Sequence, residues 1–218
     1  MLPFYGRKLS RKTKNFSLFD LNKNQFFFDE QKINSLKREV RSKKTKINLE
    51  IGFGKGDNLI FQSKIHECEF FLAIDPYLSG ALRLRQKIEI NNITNIFFSD
   101  FTFSKFFDSF KDVNFTKIYI LFPDPWPKKK HNKRRLINVE FVKKLNSITS
   151  KKSKIFIATD HEDYSTQILK SFSKEKYFKL GVKRDDNFSF EENKIYPTKY
   201  FKKAKKEKRK INFFLFTK

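Results

Sequence analysis

The chain has 218 residues, enough for one α/β domain to bury most of its apolar surface without disulfides or a metal. Its single cysteine, Cys68, excludes an internal disulfide and any C-x-x-C zinc ribbon, and no run approaches the ~20 apolar residues of a membrane span, so a soluble protein of the reducing cytoplasm, without membrane partners, is expected. Forty-eight Lys plus Arg against 24 Asp plus Glu give a formal charge of +24, which favours a polyanion such as nucleic acid, although a background rich in Lys and Phe accounts for part of that excess.

The stretch Tyr5 to Lys14, with Arg7, Lys8, Arg11, Lys12 and Lys14, has no apolar periodicity and reads as a basic arm. After the apolar patch Phe26 to Phe28, Gln31 to Val40 has the spacing of a short amphipathic helix, and Lys43 to Lys46 forms a solvated connection. Residues 1–45 are therefore assigned to an arm with a short helix, and residues 46–218 to one α/β domain. Strand-like runs then alternate with helix-like ones. Strands are expected over Ile47–Ile51, Phe70–Ile74, Ile96–Phe98, Ile118–Phe122 and Ile155–Ala158; helices over Asp57–Ile65, Leu78–Asn91, Leu136–Ile148 and Tyr164–Phe172. This alternation predicts a mostly parallel sheet covered by helices, and Ile211–Phe216, with no helix after it, suits a C-terminal antiparallel strand.

The first strand runs into Leu49-Glu-Ile-Gly-Phe-Gly-Lys-Gly56, where glycines let the backbone turn sharply against a ligand at the carboxyl edge of the sheet. The spacing is G-x-G-x-G rather than the G-x-G-x-x-G of dinucleotide sites, and the acid Glu50 precedes it. A carboxylate there repels a diphosphate and suits the cationic methionyl part of S-adenosylmethionine. Asp75 ends the next strand, where a carboxylate can accept hydrogen bonds from ribose hydroxyls, and Asp100 ends the third, within reach of an adenine edge. Any one of these acids also fits a helix cap or a loop; the ordered set Glu50, Asp75 and Asp100 at successive strand ends points to a nucleoside site.

The fourth strand leads into Pro123-Asp-Pro-Trp-Pro127. Flanking prolines are expected to hold this backbone extended and present Asp124 rigidly, with Trp126 as a stacking face for a base. The following Lys128-Lys-Lys-His-Asn-Lys-Arg-Arg135 suits phosphates beside that base, although such a run also fits a solvated face. His66 and His161 form no metal-ligand spacing with Cys68, and neither a Ser/His/Asp order nor a Walker loop is present, so neither a metal nor covalent catalysis is expected.

In Leu-Glu-Ile-Gly-x-Gly, Phe-Pro-Asp-Pro-Trp-x-Lys and His-x-Lys-Arg-Arg, from about Leu49 to Tyr200, the chain resembles the bacterial tRNA (guanine-N7)-methyltransferase family. The resemblance implies a Rossmann-like class I methyltransferase fold, S-adenosylmethionine as methyl donor, and a variable-loop guanine of tRNA as acceptor. It further implies cofactor contacts at Glu50, Gly52, Gly54, Asp75, Asp100 and Asp124, with Asp124 also the catalytic residue. Lys128, Asp160 and Thr198-Lys199-Tyr200 match its substrate-binding positions. Phe201 stands where the family carries Glu, and Ala204, Lys208 and Lys210 replace glycines. Two other functions remain open: a non-catalytic RNA-binding protein that keeps the fold, favoured by Phe201, and an amino-group methyltransferase, suggested by Asp124-Pro-Trp126. No obligate protein partner is evident.

Overall fold

Strands β1 (Ile47–Ile51), β2 (Phe70–Ile74) and β3 (Ile96–Ser99) pair in parallel, with β2 in the middle. They belong to the first of two units, Met1–Val113 and Asn114–Lys218, into which this computed structural model divides; it describes residues 21–22, 24–184 and 194–218. Every residue of β2 is buried, the pattern of a parallel strand covered on both faces. The same unit contains helices α1 (Ile33–Ser42), α2 (Asp57–Ile65), α3 (Leu78–Ile90) and α4 (Phe103–Phe110).

No element is expected from the sequence over Phe103–Phe110, yet it is helical. Thr102 caps it by accepting from the Lys105 N–H, and Phe103, Phe106 and Phe110 fall on one buried face at helical spacing. Phenylalanine also covers the edge of β3. The Phe28 N–H donates to the Phe98 carbonyl at 3.0 Å, and the Phe98 N–H donates to the Phe26 carbonyl at 2.9 Å. The apolar patch Phe26–Phe28 thus blunts a sheet edge, with Phe28 packing edge-on to Phe110.

The second unit contains β4 (Phe115–Leu121), a 3₁₀ turn (Lys129–Arg134), α5 (Val139–Ser147), β5 (Thr149–Thr159), α6 (Glu162–Ser173), β6 (Lys179–Arg184), α7 (Lys199–Lys206) and β7 (Asn212–Thr217). β4 runs parallel to β5, and β7 lies between β5 and β6, antiparallel to both. The expected C-terminal antiparallel strand is therefore present. β6 and α7 are additions to the sequence reading.

Several boundaries shift for identifiable reasons. β4 stops at Leu121 because Phe122 turns into the left-handed region with φ 55°. α5 starts at Val139, after Asn138 accepts from the Phe141 N–H as a cap. β5 reaches back to Thr149 through exposed lysines that mask its strand character. The basic arm Tyr5 to Lys14 lies outside the described residues. Among the described residues no helix is long and apolar enough to cross a membrane.

The rings of Phe172 on α6 and Phe216 on β7 stack at 3.8 Å, joining helix to sheet in the core of this unit. Phe172→Ala should lower stability by about 3–5 kcal/mol through lost burial and a residual cavity, measurable as a fall in the denaturant midpoint.

Candidate active site

In the first unit the chain leaves β1 through Gly52, Gly54 and Gly56, all left-handed at φ 79°, 56° and 74°. Gly56 is the N-cap of α2. Asp75, just past β2, fixes this turn: its Oδ2 accepts from the Gly54 N–H at 2.7 Å and its Oδ1 accepts from the Tyr77 N–H at 2.9 Å. Both carboxylate oxygens thus accept from backbone N–H groups, and one side chain ties two successive loops together. Lys87 on α3 adds a brace, donating to the Lys55 carbonyl at 2.9 Å and pairing with Asp57.

Gly80 completes the arrangement. A Cβ at this position in α3 would lie 2.0 Å from the Gly54 carbonyl oxygen, so helix and turn meet only because position 80 has no side chain. Neither Gly80 nor Lys87 stands out in the sequence, since their roles depend on a contact between segments about 25–30 residues apart. Gly80→Ala should displace the glycine turn and weaken binding of S-adenosylhomocysteine at least about tenfold, read by calorimetric titration, while helix propensity at that site favours Ala.

Glu50 is only 3% exposed, and its Oε2 accepts from the Asn58 amide at 3.0 Å. Burial raises its pKa to about 8; the Asn58 hydrogen bond works against that rise, while Asp75 and Asp57 add repulsion. Asp100 is half-buried immediately beyond β3, at the strand end expected for it. Thus Glu50, Gly52, Gly54, Asp75 and Asp100 all fall at or beside the carboxyl ends of parallel strands.

In the second unit, the segment Pro123 to Pro127 is bounded by a left-handed residue at Phe122 and contains another at Trp126, φ 43°, so it turns where an extended run was expected. Asp124 is exposed, yet desolvation of its carboxyl raises its pKa above the ordinary value. The Arg134 guanidinium lies 5.1 Å over the Trp126 ring, and His131 meets that ring edge-on.

Arg135 departs from both roles expected of the basic run, phosphate contact and a solvated face. It is 2% exposed. Its Nε donates to the Pro125 carbonyl at 2.7 Å, and its Nη atoms reach Gln167 at 2.9 Å and Asp163 at 2.7 Å on α6. This guanidinium is a clamp that fixes the Asp124 turn. Lys128, by contrast, is exposed at the entrance to the 3₁₀ turn.

Thr198 caps α7, accepting from the Phe201 N–H at 3.4 Å. Tyr200 is 47% exposed and packs its ring near-parallel to Phe122, 6.5 Å away, with the Lys199 ammonium over the Tyr200 ring, 4.9 Å from its centroid. Asp160, following β5, is paired with Arg209. Tyr200 is therefore joined to the strand end carrying Asp124, whereas Asp160 is engaged by a residue that sequence reasoning did not single out.

A family model described as "Putative methyltransferase" matches residues 44–214. Over 180 residues, 83% of this chain and 78% of the relative, the sequence is 41% identical to a Wolbachia pipientis wMel protein named tRNA (guanine-N(7)-)-methyltransferase. The chain belongs to the tRNA (guanine-N7)-methyltransferase family. Among solved structures it is similar to the 16S rRNA methyltransferase KamB, with TM-score 0.61 and 11% identity over 84% of this chain and 93% of that one. A Streptococcus mutans methyltransferase solved in complex with SAH gives TM-score 0.54 and 13% identity over 84% and 96%. These likenesses show the Rossmann-like methyltransferase fold.

For a member of this family, the substitution at Phe201 has a structural counterpart: its ring packs 6.3 Å from Phe213 on β7. An aromatic side chain here anchors α7 to the sheet. If Glu50, with its pKa pushed up to about 8 by burial, pairs with an ammonium group, it must release its proton to do so. Affinity for S-adenosylhomocysteine should then rise with pH between about 6 and 7.5, by up to about tenfold per unit, with proton release. Glu50→Gln should bind more weakly and lose that slope, as measured by calorimetry in buffers of different ionisation enthalpy.

Proposed function

We propose that this protein transfers a methyl group from S-adenosylmethionine to N7 of the variable-loop guanine of tRNA. The observation that carries this reading is the 41% identity, across 83% of the chain, to an enzyme bearing that name. The residues present fit the donor. Glu50 is a buried carboxyl suited to an ammonium group, and Asp75, held by two backbone N–H groups, places a carboxylate at the second strand end where a ribose diol suits it. Asp100, at the third strand end, suits the adenine edge.

When bound, the donor supplies an electrophilic methyl group on a sulfonium. Guanine N7 has a lone pair and carries no proton, so that lone pair forms the new N–C bond while the S–C pair remains on sulfur. No base is needed at N7, and the protein's work is alignment and charge stabilisation. Asp124, on a turn clamped by Arg135, orients the guanine and offsets the positive charge that develops on the purine. Trp126 and Tyr200 offer ring faces for the base, and Lys128 offers a cation for phosphate. Asp160 and the capped start of α7, Thr198-Lys199-Tyr200, complete the acceptor side. The reaction belongs to the cytoplasm, where tRNA is modified.

Because the Asp124 carboxyl is harder to ionise than usual, turnover should fall on the acid side with a midpoint above the ordinary carboxylate value. Asp124→Ala should lower kcat by about 10²-fold or more, with tRNA affinity changed by less than about threefold. Incubation with labelled donor and unmodified tRNA, followed by N7-specific chain cleavage, locates the methyl group. Label on an exocyclic amine, or unchanged turnover in Asp124→Ala, contradicts this assignment.

A further inference from the structure

Helix α7 has the sequence Lys-Tyr-Phe-Lys-Lys-Ala-Lys-Lys and contains no acid. Lys199, Lys202, Lys203 and Lys206 stand at i, i+3, i+4 and i+7, so the helical repeat aligns them as one stripe. All four are exposed. The opposite side carries Ala204, the helix's buried residue, and Phe201, whose ring faces Phe213 of β7. Cations so close on one face repel one another. Glu207, beyond the helix, meets Lys203 at 3.7 Å and Arg209 at 3.0 Å, and the helix itself supplies no acid to the stripe. At ~1.5 Å per residue the stripe is ~10 Å long, comparable to about three phosphates at ~3.4 Å of duplex axis each.

We propose that this stripe of α7 is a docking surface for the sugar-phosphate backbone of the RNA substrate, an inference that rests on the tRNA-methylating function above. Its chemistry selects a polyanion: aligned ammonium groups give strong, salt-sensitive and sequence-independent attraction. Its position assigns it to the acceptor, since Tyr200, on the same helix, packs against Phe122 two residues before Asp124. The Phe201 side anchors the helix while the lysine stripe faces the RNA. Position 201 thus contributes to substrate binding indirectly, by setting which face of α7 is presented.

The test compares the wild type with Lys202→Gln/Lys203→Gln/Lys206→Gln, using full-length unmodified tRNA. A control, Lys151→Gln/Lys154→Gln/Lys174→Gln, removes the same charge from exposed positions elsewhere in the second unit. The α7 variant should weaken tRNA binding by at least about tenfold at ~0.15 M salt and lower the log–log salt slope by about 2–3, one contact per lysine. Its kcat at saturating tRNA and its affinity for S-adenosylhomocysteine should match the wild type. The Lys→Arg triple at the same positions should restore binding, which separates charge from folding. An unchanged slope, or an equal loss in the control variant, overturns the docking surface. Wild-type protein that binds tRNA but transfers no methyl group contradicts the proposed function, while the binding comparison still decides the role of α7.

Discussion

Asp75 binds the Gly54 N–H with one carboxylate oxygen and the Tyr77 N–H with the other. Two loops leaving neighbouring parallel strands are thereby held by one side chain. The glycine turn cannot settle against α3 without this restraint and the bare backbone of Gly80, and α3 cannot take its course without the turn fitting beneath it. The backbone at Gly52, Gly54 and Gly56 is held in left-handed conformations at the carboxyl edge of these strands, with one carboxylate tying it to the next loop. Glu50 is buried beside the same turn, so its ionisation is costly.

The second unit solves a comparable problem with a cation. Arg135 lies in a run of basic residues, yet it is buried and fully engaged with Pro125, Gln167 and Asp163. A planar guanidinium presents its donors in a rigid fork, which lets this one side chain tie Pro125 to two residues of α6. The Asp124 turn, with left-handed residues at Phe122 and Trp126, is held from below by that fork. Neighbouring Arg134 lies over Trp126, so adjacent arginines have different work: one fixes the turn, the other faces its aromatic residue.

Phenylalanine supplies much of the fold's cohesion. Phe26 to Phe28 cover the edge of β3, α4 is built around Phe103, Phe106 and Phe110, and Phe172 stacks on Phe216. The same abundance blurs the sequence. A Phe-rich octet can be read as strand or helix, and α4 is helical because its rings meet the core at helical spacing and Thr102 caps it. Lysine has the parallel effect on β5 and α7, where exposed cations hide elements whose other faces are buried.

The sequence by itself determined the alternation of strands and helices, the C-terminal antiparallel strand and the acids at successive strand ends. These features are written in local periodicity and in turn residues at fixed offsets from apolar runs. Only tertiary structure decided that Gly80 accommodates the glycine turn, that Lys87 braces it, that Arg135 is a clamp, that Arg209 engages Asp160, and that Phe201 anchors α7 with its lysines outward. Each of these depends on contacts between residues distant along the chain, or on which face of a helix meets the sheet. A charge or a glycine reads the same in sequence whether it faces water or another backbone; burial and hydrogen-bond partners distinguish the two.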